Sequence, residues 1–230
     1  MAVKTLELEG IGTVSLHKRR GARHIRLSIT HSGEVRVTLP FWAPYQTGIA
    51  FVKTKADWIQ EQKPVLAPVK QGHPVGKAHH IAYESGQGTT ISTRITGNEV
   101  RILLPVGTRW DSPEAQKAAN SVGIRALKKE ATRLLPTRLE TLAKQHGYDY
   151  QSVAIKQLKG RWGSCSQQKE IVLNCFLMQL PWELIDYVIL HELAHTRVMA
   201  HGPVFWNEMK RITPTTDKLR KAIKLHKPVL

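Results

Sequence analysis

Residues 191–195 read His-Glu-Leu-Ala-His, and His201 follows six residues after the second of these histidines. On a helix, residues four positions apart share a face, so His191 and His195 would present two imidazoles to one metal ion. Glu192 lies one position further round the helix, within reach of a water molecule at that metal. With His201 as third ligand, one zinc position stays open, which is typical of a catalytic site. The pattern therefore predicts a Zn²⁺-dependent hydrolase with Glu192 as general base.

The third ligand is less strongly specified than the pair on the helix. The spacing is similar to that of the metzincin motif, which has a glycine three residues after the second histidine, where this chain has Val198. Gly202-Pro203 comes directly after His201, so we expect the chain to turn later, with Pro203 beginning another helix. The alternative is a loop histidine at 201 with a distant carboxylate ligand such as Glu208. We favour His201.

The segment before the motif predicts a packed helix. Residues 181–190 begin with Pro181 and carry an acidic residue in the first turn, both typical of a helix N-terminus. Leu184 and Val188 then share a face with the two histidines of the motif. We therefore expect those histidines to emerge from a buried apolar face.

The charge balance is strongly basic. The 230 residues contain 34 Lys and Arg against 18 Asp and Glu, a net charge of +16. Such a field attracts polyanions, including nucleic acid, nucleoside triphosphates and acidic protein surfaces. The alternative is an ordinary solvated surface. The basic clusters lie at 18–20, 125–129, 210–211 and 218–227.

The sequence also favours one cellular compartment, the cytoplasm. The first residues have neither an apolar stretch nor a small-residue cleavage site, so we expect no signal peptide, and no apolar run is long enough to span a bilayer. Cys165 and Cys175 are the only cysteines, and a symmetric hairpin turn at 167–169 would not pair them. We predict a cytoplasmic protein with no membrane partner. No pattern indicates an oligomeric state.

The two halves of the chain differ in pattern and predict an α+β fold. Residues 1–108 are β-rich, and residues 109–230 are mainly helical with a short sheet. We place the domain boundary there because Ser112 and the Pro-Glu pair after it are typical of a capped helix start.

Periodicity and turn residues predict the individual elements. They are a hairpin at 25–39 turning at 31–33, a helix at 51–62 ended by Pro64, strands at 81–83, 89–95 and 99–104, a helix from 113 towards Gly147 that Pro136 kinks or restarts, a strand at 152–158, a hairpin at 161–176, and helices at 203–212 and 214–225.

Several motifs together resemble a known family. They are Lys-Gly-Arg-Trp-Gly-Ser-Cys-Ser at 159–166, Ile-Val-Leu-Asn at 171–174, the histidine motif at 191–195, and His201 followed by Phe-Trp at 205–206. The chain resembles the YgjP-like family of bacterial metal-dependent hydrolases, relatives of the SprT/Wss zincin-like metallopeptidases. The resemblance implies a zincin-like catalytic half, with zinc held by three histidines and Glu192 as general base. One departure is Gly202, where the family has a serine.

The resemblance also raises expectations about the cleft. In zincins an edge strand beside the zinc helix commonly aligns an extended substrate, and residues 171–176 are placed to be that strand. Arg161 would hold a phosphate or carboxylate, or brace the transition state; the equal alternative is a structural role for Arg161, Trp162 and Asn174. For Tyr187, one turn before the motif, the alternatives are support of the metal ligands and core packing, and we favour core packing.

Three functions follow. The first is a zinc-dependent metallopeptidase acting on a peptide or protein. The second, which the resemblance also suggests, is a nucleoside triphosphate (UTP) pyrophosphatase, although the chain has no Gly-rich phosphate loop. The third is a nucleic-acid-binding module with a vestigial zinc site, which the intact Glu192 disfavours.

Overall fold

Residues 3–29, 33–62 and 67–228 are described in a computed structural model of the chain. The chain divides after residue 67 into two units, each with its own packed core. The boundary predicted at 108/109 follows the change from strand-rich to helix-rich sequence and falls inside the second unit. The division into 1–108 and 109–230 stays a prediction.

The first unit contains a four-stranded mixed sheet in the order β1-β2-β4-β3. Its strands are β1 (Val3–Leu8), β2 (Gly12–Arg19), β3 (Arg26–Ile29) and β4 (Val35–Pro40). β3 and β4 pair antiparallel, which confirms the hairpin strands, while residues 31 and 32 of its predicted turn lie outside the described residues. β2 and β4 are parallel neighbours, so their carboxyl ends meet at one edge of the sheet.

Two short helices complete the first unit. They are α1 (Tyr45–Thr54) and α2 (Ala56–Gln62). The single helix predicted at 51–62 is therefore wrong at its start and is interrupted at Lys55, where φ −112° and ψ 17° leave the helical region. The helical ladder ends at Gln62, and Pro64 lies outside the described residues. Val52 and Ile59 are fully buried against the sheet core of Leu16 and neighbouring strand residues.

The second unit begins with another four-stranded sheet, in the order β5-β6-β8-β7. Its strands are β5 (Pro74–Val75), β6 (His79–Ser85), β7 (Ser92–Thr96) and β8 (Glu99–Leu104). Their buried residues pack against the long helix that follows, α3 (Pro113–His146).

α3 begins and ends as its sequence predicts. The Ser112 hydroxyl accepts a hydrogen bond from the backbone N–H of Ala115, and Gly147 ends the helix in the left-handed region at φ 68°. The helix continues through Pro136, which excludes the restart, and the alternative of a kink stays a prediction. Leu135 and Leu139 are fully buried on both sides of the proline, and their packing compensates for the missing backbone donor.

A three-stranded sheet, a short 3-10 helix and three α-helices follow. These are β9 (Ser152–Lys156), β10 (Gly163–Cys165), β11 (Glu170–Asn174), the 3-10 helix Cys175–Gln179, α4 (Trp182–His195), α5 (Pro203–Ile212) and α6 (Thr216–Ile223). Within the described ranges, runs of strands in separate mixed sheets and runs of helices confirm the α+β class. Among the described residues, no helix is long and apolar enough to cross a membrane.

The order of this last sheet corrects one expectation. It runs β10-β11-β9, so the strand within 171–176 is central and pairs on both sides. The edge strand that packs against α4 is β10. Cys165 lies opposite Ile171 in the hairpin, and Cys165 and Cys175 are both free thiols.

Candidate metal centre

Three imidazoles converge at the end of α4. His191 and His195 lie one turn apart on α4, and His201 follows in the loop before α5. The Nε2 atom of His201 is 3.0 Å from Nε2 of His191 and 3.1 Å from Nε2 of His195. Nitrogen ligands at about 2.0–2.1 Å from a tetrahedral zinc would be roughly 3.4 Å apart, so the donor set fits one zinc ion.

The hydrogen bonding and burial of the helix pair suit metal binding. His195 Nδ1 lies 3.0 Å from the carbonyl oxygen of Val198, so Nδ1 carries the proton and donates to that carbonyl. The lone pair of His195 Nε2 then faces the other two rings. Burial lowers the pKa of His191 to about 3 and also lowers that of His195, so both rings are neutral at pH 7. A neutral imidazole is the form that binds a metal.

The chain reaches His201 without the glycine of the metzincin motif. Val198 continues from α4 by donating its backbone N–H to Ala194 O, and it is not among the described residues with positive φ. The left-handed turn that glycine allows is therefore not used here. Trp206 Nε1 donates to the carbonyl oxygen of His201 at 3.0 Å, and the two rings stack with centroids 5.8 Å apart.

Glu208, the alternative ligand, is engaged elsewhere. Its carboxylate accepts hydrogen bonds from the Tyr148 hydroxyl and from the guanidinium groups of Arg197 and Arg211. The hydrogen bond from Arg211 is the main reason why the pKa of Glu208 is lowered to about 2. This carboxylate belongs to an ion-pair network between α4 and α5, and the three histidines cluster without it.

Glu192 lies beside the histidines under the edge strand β10. Its side chain is buried, with 5% of the residue exposed, and it lines the same cleft as His191 and His201. Burial raises the pKa of its carboxyl to about 8, against the opposing effect of the Arg161 cation. Gly163 makes this burial possible: a Cβ there would lie 2.6 Å from Glu192 Oε1 and 2.8 Å from its Cγ.

The cleft has a volume of about 430 Å³. One wall is the start of the β10 hairpin, with Arg161 and Trp162, and the other is α6 with the residue after it, Arg220 and Lys224. The Arg220 guanidinium carbon lies 3.9 Å from the centroid of the Trp206 ring, within cation–π range. Three cations therefore line a cleft whose only lining carboxylate, among the described residues, is Glu192.

The sequence left open whether Arg161, Trp162 and Asn174 have a functional or a structural role. Asn174 is fully buried and structural, because its amide donates to the carbonyls of Leu158 and Arg161 and its oxygen accepts from the N–H of Phe176. Arg161 and Trp162 line the cleft instead.

Tyr187 combines both of its alternatives. It is buried, as core packing requires, and also lines the cleft with its ring 6.1 Å from that of His191. Sequence reasoning assigned no role to Gly163 and Trp206, although both lie in the motifs of the resemblance, and it missed Arg220 and Lys224. The basic cluster at 218–227 was a signal for the last two, but nothing in it indicated that α6 returns to the cleft.

Comparison with known proteins supports a hydrolytic metal site. Residues 23–226 match the family model described as YgjP-like, metallopeptidase domain. A search of curated proteins found no match.

Two solved structures of archaeal metallopeptidase zymogens show partial similarity. Abylysin of Pyrococcus abyssi is 26% identical, with a TM-score of 0.37 over 40% of this chain and 93% of that one. Jannalysin of Methanocaldococcus jannaschii is 26% identical, with a TM-score of 0.34 over 38% of this chain and 90% of that one. The family match extends over both units, from residue 23 to residue 226. The chain is a member of the YgjP-like family of metallohydrolases.

Proposed function

We propose that this protein is a zinc-dependent metallopeptidase in which His191, His195 and His201 bind the metal and Glu192 is the general base. The observation that carries the proposal is the convergence of three Nε2 atoms beside a buried carboxylate in a cleft, with that of His201 lying 3.0 Å from His191 Nε2 and 3.1 Å from His195 Nε2. Three protein ligands leave one position open, as hydrolytic zinc sites require.

In this proposal the metal and Glu192 have separate roles. A zinc ion bound by the three histidines would acidify a water molecule and polarise the carbonyl under attack. Glu192 takes the proton from the attacking water and delivers it to the leaving amine. A bound zinc cation would oppose the effect of burial on the pKa of Glu192 and favour the ionised carboxylate, which is the form that accepts the proton.

The sheet edge suits an extended polypeptide. Among the described residues, no strand other than β11 pairs with β10, so its other edge is open to pairing with a substrate strand. Gly163, the first residue of β10, lies against Glu192. A peptide paired with β10 would therefore run past the general base, which favours a peptide or protein substrate.

A nucleoside triphosphate is the second candidate substrate. Arg161, Arg220 and Lys224 line the cleft, and phosphate oxygens bind guanidinium and ammonium groups strongly. The same metal and base would then attack a phosphoryl group and release pyrophosphate, with UTP as the family-based expectation. The free sheet edge has no role in this reaction, so we favour the peptidase.

A substrate panel separates the two. Zinc-loaded protein is incubated with a fluorogenic peptide library and, separately, with each common nucleoside triphosphate while pyrophosphate is measured; EDTA-treated protein with and without added zinc is the control. We expect zinc-restored peptide cleavage. Zinc-restored pyrophosphate release with no peptide cleaved would replace the peptidase with the pyrophosphatase.

We also propose a cytoplasmic location. Cys165 and Cys175 are free thiols, which fits a reducing compartment.

A further inference from the structure

The first unit carries exposed aromatic rings next to its basic residues. Phe41 and Trp42 follow β4 directly and are 51% and 79% exposed. β2 runs parallel to β4, with Arg19 opposite Pro40, so the basic end of β2 lies beside these two rings. We call this surface the basic–aromatic face; it comprises Lys4, Lys18, Arg19, Arg20, Phe41, Trp42 and Tyr45.

On the basic–aromatic face, Lys and Arg side chains lie close to the aromatic rings. Lys18 Nζ lies 4.8 Å from the centroid of the Tyr45 ring and 6.0 Å from that of Phe41. The guanidinium carbon of Arg20 is 5.3 Å from the Phe41 ring, and Lys4 Nζ is 5.8 Å from the Tyr45 ring. These contacts hold the cations close to rings that remain accessible, and each cation keeps its charge available for an anion.

Three acidic residues of the first unit lie away from this face. Glu7 and Glu9, at the far end of β1 and the turn after it, line a second pocket together with Asp57 of α2. Along β1 the chain changes from Lys4 to Glu7 within three residues. Lys53 lines the same pocket, so that end carries mixed charge, and an anionic partner would be drawn more strongly to the basic–aromatic face.

We propose that the basic–aromatic face binds single-stranded nucleic acid. Its cations match the phosphates of a strand, and its exposed rings match unpaired bases, which stack on aromatic side chains. A duplex keeps its bases stacked within the helix, so Trp42 and Phe41 would gain nothing from it. An acidic protein surface would use the cations and leave the rings exposed. This inference goes beyond the proposed hydrolase and rests on none of the residues of the metal centre.

The test is fluorescence anisotropy with the full-length, zinc-loaded chain. The probe is a fluorescein-labelled 20-nucleotide oligo(dT), measured against a labelled duplex of equal length over a series of salt concentrations. We expect the single strand to bind more tightly than the duplex, with an affinity that falls steeply with salt.

Two variants of the face and two matched controls locate the binding. Trp42→Ala should weaken oligo(dT) binding by about 5- to 100-fold, the range for one lost base stack. Lys18→Gln with Arg20→Gln should reduce the slope of log affinity against log salt by about 1.4.

Trp58→Ala removes another exposed ring of the same unit, and Lys128→Gln with Lys129→Gln removes two exposed charges from α3. Both controls should bind within about two-fold of the unmodified chain. Because Trp42 is exposed, its removal should leave the thermal unfolding midpoint unchanged.

Several results would overturn the proposal. They are the absence of salt-sensitive binding at low ionic strength, equal affinity for the duplex, unchanged binding by Trp42→Ala, and an equal loss in the Lys128/Lys129 control. Unlabelled oligo(dT) should compete with the probe more effectively than poly-glutamate or phosphatidylserine vesicles do. If either of these competed equally well, the proposal would be rejected in favour of an acidic protein or an anionic membrane as partner.

Discussion

At the scale of single residues, Gly163 and Glu192 depend on each other. Gly163 lies where β10 crosses α4, and the Glu192 carboxyl fills the space that a side chain at 163 would occupy. Gly163 needs no left-handed backbone, so its role is close approach and not a turn. The absence of this Cβ places the carboxylate that we propose as general base.

Gly163→Ala should therefore lower turnover without removing zinc. The new Cβ would lie 2.6 to 2.9 Å from three Glu192 side-chain atoms, so the carboxyl has to move. A displacement near 1 Å at a reacting group costs on the order of 100-fold in rate. The measurement is kcat together with zinc per chain by mass spectrometry. Gly202→Ala is the control, because a Cβ there meets no atom within 4 Å. Unchanged turnover by Gly163→Ala would show that Glu192 is not held as we describe.

The metal-binding residues were predictable, and their surroundings were not. Two histidines four residues apart share a helix face whatever the rest of the fold does, so local sequence is sufficient to bring them together. Gly163 is 29 positions before Glu192. Arg220 reaches the cleft only because α6 packs back onto α4. Contacts of this kind depend on tertiary packing, which periodicity along one segment does not encode.

At the scale of elements, an ion-pair network secures the loop that carries His201. Arg197 lies just after α4 and Glu208 lies on α5, so their contact closes the loop between them. Arg211 donates two further hydrogen bonds to Glu208, and the Tyr148 hydroxyl donates another. The network therefore connects the end of α3, the end of α4 and α5.

Glu208→Gln should destabilise the protein at neutral pH and less so in acid. The pKa of Glu208 is lowered to about 2, so its contribution is fully present above the ordinary carboxyl pKa of about 4.3 and is lost as the pH falls towards 2. We expect a loss on the order of 1–3 kcal/mol in the free energy of unfolding at pH 6, shrinking between pH 4 and pH 2. Urea unfolding followed by circular dichroism measures it.

Glu140→Gln is the matched control for this experiment. Glu140 pairs with Lys144 one turn away on α3, with 52% of its side chain exposed, and such surface pairs contribute little to stability. A Glu208→Gln effect no larger than that of the control, or one that grows in acid, would contradict the role of the network.

Strand positions within the sheets were harder to predict than the strands themselves. The predicted hairpin at 161–176 placed a strand at 171–176, but only its pairing with both β9 and β10 shows that it is central. The parallel pairs β2–β4 and β6–β8 likewise join segments separated in sequence. Helix caps are local, so the ends of α3 at Ser112 and Gly147 were predicted correctly.

At the scale of the whole molecule, the two units have separate apolar cores. One core is formed by strands β2 and β4 with α1 and α2, and the other surrounds α3 and α4. All residues of the proposed metal centre lie in the second unit. We therefore expect damage to the first core to leave zinc binding unaffected.

Leu16→Ala tests this separation. Leu16 is fully buried in the first core, so its truncation should cost on the order of 2–5 kcal/mol in the stability of that unit. Zinc content and turnover at 25 °C should stay at the level of the unmodified chain. Leu193→Ala, an equally buried change between the histidines of α4, should reduce both. Calorimetry and zinc analysis measure these effects. Parallel loss of zinc in Leu16→Ala would show that the units are coupled.

The most direct test of the central claim is turnover by Glu192→Gln at full zinc content. The amide keeps the size of the side chain in its pocket beneath Gly163 and cannot accept the proton. We predict one zinc per chain, as in the unmodified protein, with hydrolysis slowed by about 10²- to 10⁴-fold. Hydrolysis at the unmodified rate by a zinc-replete Glu192→Gln protein would contradict the assignment of Glu192 as general base, and with it the proposed mechanism.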